Sequence, residues 1–192
     1  MMFRIEAGDL AAIEPTPQEV RAHAAALAVG YNEPRNATMM GHTAEMAPDE
    51  IVEHYAEMAG RGARQFLLFA GGALAGDADL RGITDGACEF AFMIAAPSAQ
   101  GKGLGTRFAA MIYAFAFEQL GLQRVYASVI PRNIASLRVF EKLGCSADAS
   151  PAARAFADEP DDIVMAIDRT TFARRNALQN FRILPREQTS LG

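Results

Sequence analysis

The sequence contains no tryptophan, two cysteines and three histidines, and no apolar run in it is long enough to span a bilayer. Cys88 and Cys145 have neither metal-ligand spacing nor the density of a disulfide framework, and the histidines are too scattered to indicate zinc. The first residues include early acidic side chains and lack the apolar core of a signal peptide. These absences predict a cytoplasmic protein without a metal centre or a membrane segment, because unpaired cysteines suit a reducing compartment.

The chain is also poor in positive charge, with 18 lysines and arginines against 23 acidic residues and a net charge of −5. That balance argues against a general nucleic-acid binder. The exception is the segment from Arg169 onward, where five arginines stand against Glu187. This segment either binds an anionic partner or pairs with the acidic body of the protein. A length of 192 residues, 51% apolar and 21% charged, indicates a single globular domain.

The hydrophobic pattern predicts a mixed α/β layout. The expected strands cover 3–6, 66–70, 74–84, 87–95, 124–130 and 162–167, and the expected helices cover 16–29, 48–58, 106–120, 134–143 and a short stretch from 171. Residues 30–41 and 147–161 are expected to be loops, and the end of the chain a tail. The strand–helix–strand passage over 87–130 predicts parallel neighbours, whereas tight turns predict antiparallel pairing among the three strands before it.

A glycine-rich turn, Gln100-Gly101-Lys102-Gly103-Leu104-Gly105, separates the predicted strand over 87–95 from the helix after it. A helix N-terminus presents unpaired amides that favour an anion, and glycine lets a phosphate approach the backbone closely. The turn lacks the Gly-Lys-Ser/Thr ending of a Walker loop, and its glycines lack the Rossmann spacing. By itself it therefore indicates phosphate binding, or a helix-entry loop that binds nothing.

Two motifs in order resemble the GCN5-related N-acetyltransferase (GNAT) family, most closely its RimJ/RimL-like branch. The glycine turn is similar to the family signature Gln/Arg-x-x-Gly-x-Gly/Ala. Asn133-Ile134-Ala135-Ser136, followed by Glu141-Lys142-Leu143-Gly144, is similar to a second family motif. The resemblance implies a GNAT fold over 1–170, with 171–192 as a C-terminal helix and tail. It also implies a twisted, mostly antiparallel sheet of about six or seven strands that splays open beside the glycine turn.

The resemblance further implies that acetyl-CoA is bound in that splay. The glycine turn would hold its pyrophosphate, and the end of the strand before the turn would pair with its pantetheine arm. The residues expected to bind it are Met93, Ile94, Ala95, Gln100, Gly101, Lys102, Gly103, Gly105, Thr106, Asn133 and Ser136. The alternative for Asn133 is that it is only a helix cap, and one residue can also serve both purposes.

The implied reaction is transfer of the acetyl group to a primary amine of a small molecule or peptide, which needs a proton acceptor. Glu89 is the expected base, because it shares a strand face with Ala91 and Met93. The alternative is that Glu89 is only a polar residue on the solvated face. Phe140 stands where many family members have a tyrosine acid, which leaves open a silent CoA-binding module. The resemblance also allows a homodimer through residues 169–192.

Overall fold

The computed structural model describes residues 1–41, 44–84, 86–95, 101, 103–176 and 180–186, which form one nine-stranded sheet flanked by helices. The strands are β1 (Met2–Ala7), β2 (Leu10–Ile13), β3 (Arg64–Ala70), β4 (Ala73–Thr84), β5 (Ala87–Ile94), β6 (Arg124–Val129), β7 (Ser146–Ala147), β8 (Ile163–Asp168) and β9 (Arg182–Arg186). The helices are α1 (Pro17–Asn32), α2 (Pro34–Met40), α3 (Pro48–Gly60), α4 (Leu104–Glu118), α5 (Ile134–Leu143), α6 (Pro151–Arg154) and α7 (Arg169–Arg175). Within these ranges no helix combines the length and apolar character needed to cross a bilayer.

The sheet order is β7-β8-β6-β5-β4-β3-β2-β1-β9. Every adjacent pair is antiparallel except β5 and β6, which are parallel and joined through α4. Parallel strands need a crossover connection, and α4 supplies it. The predicted meander and the predicted parallel pair are therefore both confirmed.

The sheet is covered on both faces. On one face lies α4, whose residues from Phe108 to Phe117 are all buried, and which packs against the strands that surround it. On the other face lie α1 and α3, packed on side chains such as Leu67 and Met93. Side chains alternate between faces along a strand, so Phe90 belongs to the α4 side and Met93 to the α1 side.

The sheet opens between its two parallel strands. Within the described residues, β5 and β6 pair only where Ala87–Glu89 lies beside Arg124–Tyr126. Both strands then continue, β5 to Ile94 and β6 to Val129, with β5 still paired to β4 and β6 to β8. Among the described residues the pairing of β5 with β6 thus ends at Glu89, and this separation of the two strands is the splay that the resemblance implied.

Local signals in the sequence account for several helix ends. Thr16 and Glu19 form a reciprocal capping box at the start of α1, with backbone-to-side-chain hydrogen bonds of 2.8 and 3.2 Å. Asn133 caps α5 by accepting the Ser136 amide at 3.1 Å. Gly144 ends α5 with a positive φ of 97°. The Asn133 cap expected above is thus confirmed, and the other two helix ends are likewise set by a few neighbouring residues.

Several elements differ from the prediction. The loop expected over 30–41 is wrong, because α1 continues to Asn32 and α2 follows it. The loop expected over 147–161 contains α6, and β2 and β7 were not foreseen. The expected tail contains β9, which pairs with β1 along five residues and places the end of the described chain in the same sheet. Three unforeseen strands raise the expected six or seven to nine.

Candidate active site

Two adjoining cavities fill the splay between β5 and β6. The first, here called the loop cavity, has a volume of about 470 Å³ and lies beside the N-terminus of α4. The second, here called the acidic cavity, has a volume of about 310 Å³ and is lined mainly by β4, β5 and β6, with Tyr31 of α1 and His54 of α3. Six residues line both cavities and so join them: Met39, Met40, Phe92, Met93, Asn133 and Ser136.

The glycine turn and α4 form one wall of the loop cavity. Gly101, Gly103, Gly105 and Thr106 line it. Gly101 and Gly103 have φ values of 73° and 78°, a backbone conformation that residues with a Cβ rarely adopt. A Cβ on Gly105 would lie 3.1 Å from the Phe92 ring. The wall is thus bare backbone at a helix N-terminus, the arrangement that binds phosphate.

Three cations line the loop cavity opposite this wall. Arg35 lies on α2, and Arg138 and Lys142 lie on α5. No acidic side chain lines this cavity, and within the described residues none of the three cations is in a salt bridge. Their charge is therefore available to an anionic ligand. Sequence reasoning missed all three, although Arg138 and Lys142 fall inside the second motif, four residues apart on one helix face.

Only two of the three cofactor residues predicted at the end of β5 line the loop cavity. Met93 and Ile94 line the loop cavity, whereas Ala95 lines neither cavity and packs against Gly30 of α1. The buried Asn36 amide donates to the carbonyls of Ile94 and Ala95, at 3.3 Å each, and to Gly30 at 2.8 Å. Asn36 thereby holds the end of β5 against α1 and α2.

Asn133 and Ser136 lie where the two cavities meet, so the helix cap also faces the splay. Gln100 and Lys102, which were also expected to bind the cofactor, lie outside the described residues. The remaining predicted residues of the glycine turn line the loop cavity.

The acidic cavity contains four carboxylates, from Asp77, Asp79, Asp158 and Asp162, against the single guanidinium of Arg81. Asp77 is buried, and its Oδ2 accepts hydrogen bonds of 2.9 Å from the hydroxyls of Tyr31 and Tyr55. Burial raises the pKa of Asp77 to about 6, although the tyrosine hydrogen bonds oppose that shift. Burial likewise raises the pKa of Asp79 to about 7.

Asp77, Asp79 and Arg81 were not recognised in the sequence as site residues. They alternate along β4 with Ala78 and Leu80, which are buried in the core on the α4 side. Three charged residues at period two inside a strand otherwise made of small and apolar residues indicate a polar face, and that signal was present in the sequence.

Glu89, the expected base, is 8% exposed and is not among the residues that line either cavity. Its carboxylate accepts hydrogen bonds of 2.7 and 3.0 Å from Arg81. Burial raises its pKa above the usual range, and the hydrogen bond from Arg81 lowers it in part. Arg81 also donates to Asp158 at 3.0 Å. Glu89 does share the α1-side face with Ala91 and Met93, as its pairing with Arg81 across the strands requires.

Phe140 lies at the wall of the acidic cavity, where it is 2% exposed. Its ring packs edge-on against Phe90 and Phe92, with centroid distances of 6.2 and 6.0 Å. This position therefore offers no hydroxyl to a leaving group.

The geometry defines a class of protein: an α/β fold with a splayed sheet, a glycine-walled basic cavity and an acidic cavity continuous with it. A sequence model described as "Acetyltransferase (GNAT) domain" matches residues 16–146. The chain belongs to the GNAT acetyltransferase family. The family and the fold predicted from the sequence are thus confirmed.

The individual proteins that resemble this chain either match a short stretch of it or share low sequence identity with it. A 44-residue stretch is 46% identical to the probable N-acetyltransferase YjcK of Bacillus subtilis (strain 168), covering 23% of this chain and 24% of that protein. The match thus spans about a quarter of the length of that curated relative. RimJ of Mycobacterium smegmatis, solved in complex with CoA-disulfide, superposes with a TM-score of 0.71 at 18% identity, covering 93% of this chain and 92% of that chain.

Spermidine N-acetyltransferase from Vibrio cholerae, solved in complex with CoA and spermine, has a TM-score of 0.67 at 20% identity. That superposition covers 85% of this chain and 98% of the Vibrio chain. At these identities the solved structures establish the shared fold.

Proposed function

We propose that this protein is an acetyl-CoA-dependent N-acetyltransferase that moves an acetyl group to a primary amine by direct attack in a ternary complex. The observation that carries the proposal is the division of charge along one continuous cleft. Cations and helix amides surround the loop cavity, carboxylates surround the acidic cavity, and shared residues connect the two. An anionic cofactor and a cationic acceptor can therefore occupy the cleft together, each beside charge of the opposite sign.

The loop cavity fits the phosphate end of CoA. The α4 N-terminus and the bare backbone of Gly101 and Gly103 would hold the pyrophosphate. Arg35, Arg138 and Lys142 would neutralise the remaining phosphate charge from the opposite wall. The backbone of β5 at Met93 and Ile94, beyond the part of β5 that pairs with β6, would hydrogen-bond the pantetheine amides in place of a strand.

When bound, acetyl-CoA supplies an acetyl group activated as a thioester. A backbone amide near Met93 or Ile94 would donate to the acetyl oxygen as negative charge develops on it. Phe90, Phe92 and Phe140 keep that part of the cleft apolar, which strengthens such a hydrogen bond. A thiol has a pKa of about 8.5, so the CoA thiolate is a stable enough anion to leave without a tyrosine to protonate it.

The acceptor we propose is a cationic amine, either a small molecule or a peptide N-terminus. The acidic cavity supports this choice, since its carboxylates outnumber its arginine. The Vibrio neighbour, which was solved with spermine, has the same fold. We assign the protein to the cytoplasm, because its two cysteines are buried and unpaired, and burial raises the pKa of each thiol to about 12.

The test is release of free thiol from acetyl-CoA in the presence of spermine, kanamycin or an alanyl dipeptide. We expect amine-dependent release and a product 42 mass units heavier than the amine, roughly, as one acetyl group replaces a proton. A tertiary amine of similar charge is the control, since it cannot form a stable amide. Release at the same rate with and without amines would contradict the proposal.

Phe140 favours a second function, a CoA-binding module that does not catalyse transfer. Calorimetric titration with CoA separates the two. Tight CoA binding without thiol release from any amine would support the silent module, whereas CoA binding together with amine-dependent release supports the enzyme. The absence of CoA binding would contradict both functions.

A further inference from the structure

Two carboxylates on β4 face the acidic cavity, and their hydrogen bonding differs. Asp77 is held by the hydroxyls of Tyr31 and Tyr55. Asp79 keeps 19% of its side chain exposed and lines the cavity, while its Oδ1 is buried and, among the described residues, has no hydrogen-bond partner. A buried carboxylate oxygen without a donor is costly, so such an atom calls for an explanation.

The nearest cation does not supply that donor. Arg81 Nε lies 4.0 Å from Asp79 Oδ1, too far for a hydrogen bond. Its guanidinium donates instead to Glu89 and Asp158, at 2.7 and 3.0 Å. The positive charge of Arg81 therefore attracts the Asp79 carboxylate without donating a hydrogen bond to its Oδ1.

The position of Asp79 suits a group that meets the acceptor. Asp79 pairs across the strands with Ala91, between the Asp77–Met93 and Arg81–Glu89 pairs. Cross-strand partners share a face of the sheet, so Asp79 lies on the same face as Ala91, one strand away from the edge of β5 that we propose binds the pantetheine arm. Glu89 lies one pair further from Met93, toward the closed end of the splay.

We propose that Asp79, rather than Glu89, accepts the proton of the acceptor amine in the acetyl transfer proposed above, on which this inference rests. Asp77, Tyr31 and Tyr55 act as positioning residues that fix the neighbouring part of β4. The part of the Asp79 side chain that lines the cavity meets the ammonium group, while the buried Oδ1, which has no hydrogen-bond donor among the described residues, makes the carboxylate a stronger proton acceptor.

The acceptor nitrogen loses two protons in this reaction. The ammonium group gives one proton to the Asp79 carboxylate and becomes a neutral amine. The amine nitrogen forms a bond to the acetyl carbonyl carbon, the carbon–sulfur bond breaks, and its electron pair leaves on the CoA thiolate. The second N–H proton goes to solvent or to the thiolate, and Asp79 returns its proton to solvent.

The surroundings of Asp79 raise its pKa into the range in which a general base works near neutral pH. Burial, opposed by Arg81 and reinforced by nearby carboxylates, raises the pKa of Asp79 to about 7, and a general base works best near the operating pH. The charged and titratable groups near it come from β4, β5, α1, α3 and the segment after α6: Asp77, Arg81, Glu89, Tyr31, His54, Tyr55, Asp158 and Asp162.

The experiment compares Asp79→Asn, Glu89→Gln and the exposed control Asp49→Asn, with the best amine from the panel above as acceptor. We expect wild-type kcat/KM to fall tenfold per pH unit below an inflection near 7. Asp79→Asn should lose about 100-fold or more in kcat/KM together with that inflection. Glu89→Gln should keep the inflection but move it to lower pH, because the Glu89 charge raises the pKa of Asp79. Asp49→Asn should match wild type.

Carbon-13 NMR of aspartate-labelled protein provides a readout that does not depend on turnover. Wild type should show one carboxyl resonance titrating near pH 7 that is missing from Asp79→Asn, and unchanged positions of the other aspartate resonances verify that the variant is folded. The role of Asp79 is overturned if no such resonance exists, if Asp79→Asn keeps rate and profile, or if Glu89→Gln abolishes the inflection. A wild-type protein that acetylates none of the amines overturns the proposed function instead.

Discussion

Asp79 should make the protein less stable as the pH rises, and Asp79→Asn should remove that dependence. The folded-state pKa of about 7 lies above the ordinary aspartate value of 3.8. The folded state therefore binds the proton more tightly than the unfolded state, so the stabilising contribution is complete below pH 3.8 and is lost as the pH passes 7. The amide that Asp79→Asn introduces does not titrate, so the variant resembles the protonated side chain at every pH.

The magnitude follows from the linkage between proton binding and folding. Each pKa unit is worth about 1.4 kcal/mol, so the unfolding free energy of wild type should fall by roughly 2–3 kcal/mol relative to Asp79→Asn between pH 5 and 8. The 19% exposure of the side chain moves the expectation toward the lower figure. Asp77 also titrates, with its pKa raised to about 6, and because its charge repels that of Asp79, the Asp79→Asn substitution should lower the pKa of Asp77 and add a smaller contribution to the difference.

Urea unfolding at each pH, followed by far-ultraviolet circular dichroism, measures this difference. Asp49→Asn controls for the loss of one surface charge, and its difference from wild type should stay constant across the same pH range. If wild type and Asp79→Asn show parallel pH dependences, or if wild type gains stability relative to the variant above pH 6, the folded-state pKa is not raised and the reasoning is refuted.

Three other substitutions test the remaining parts of the site. Arg138→Ala should raise the KM for acetyl-CoA about three- to tenfold with little change in kcat, as expected for loss of one exposed phosphate contact, whereas the matched Arg61→Ala should not. Gly30→Ala should lower the unfolding free energy measured in urea by about 1–2 kcal/mol, because its Cβ would lie 2.7 Å from Ala95 Cβ, whereas Gly60→Ala has open space and should not destabilise. Phe140→Tyr should change kcat by less than about twofold, since a thiolate leaves readily; a tenfold rise would mean that wild type lacks a needed proton donor.

How far the sequence predicts the fold depends on whether a signal is local. The capping box at Thr16, the cap at Asn133 and the left-handed glycine at Gly144 are read from a few neighbouring residues, and the structure confirms them. Strand β9 contains a proline and pairs with β1, about 180 residues away, so nothing near it in the chain indicates a strand. Helix α2 does have local end signals, with Pro34 in its first turn and Gly41 as a left-handed C-cap, and the prediction of a loop overlooked them.

The partner of Glu89 illustrates why the site was harder to predict than the fold. Thr84 pairs with Ala87 across a tight turn, and counting back from that pair without interruption would place Arg81 opposite Phe90. A register shift between Arg81 and Thr84, where Gly82 has a φ of 56°, moves Arg81 opposite Glu89 instead. A one-residue bulge therefore decides which carboxylate is tied to the arginine, and no turn signal in the sequence specifies it.

Hydrogen-bond partners then distinguish the carboxylates around the acidic cavity. Glu89 and Asp158 share Arg81, and Asp77 has two tyrosine hydroxyls. Asp162 accepts the Ser128 hydroxyl at 2.7 Å. Asp79 alone among these five, within the described residues, has a buried oxygen with no donor. An ammonium group in the acidic cavity would balance the excess of negative charge there, and we expect it to give its proton to Asp79, the carboxylate that the protein itself leaves least well hydrogen-bonded.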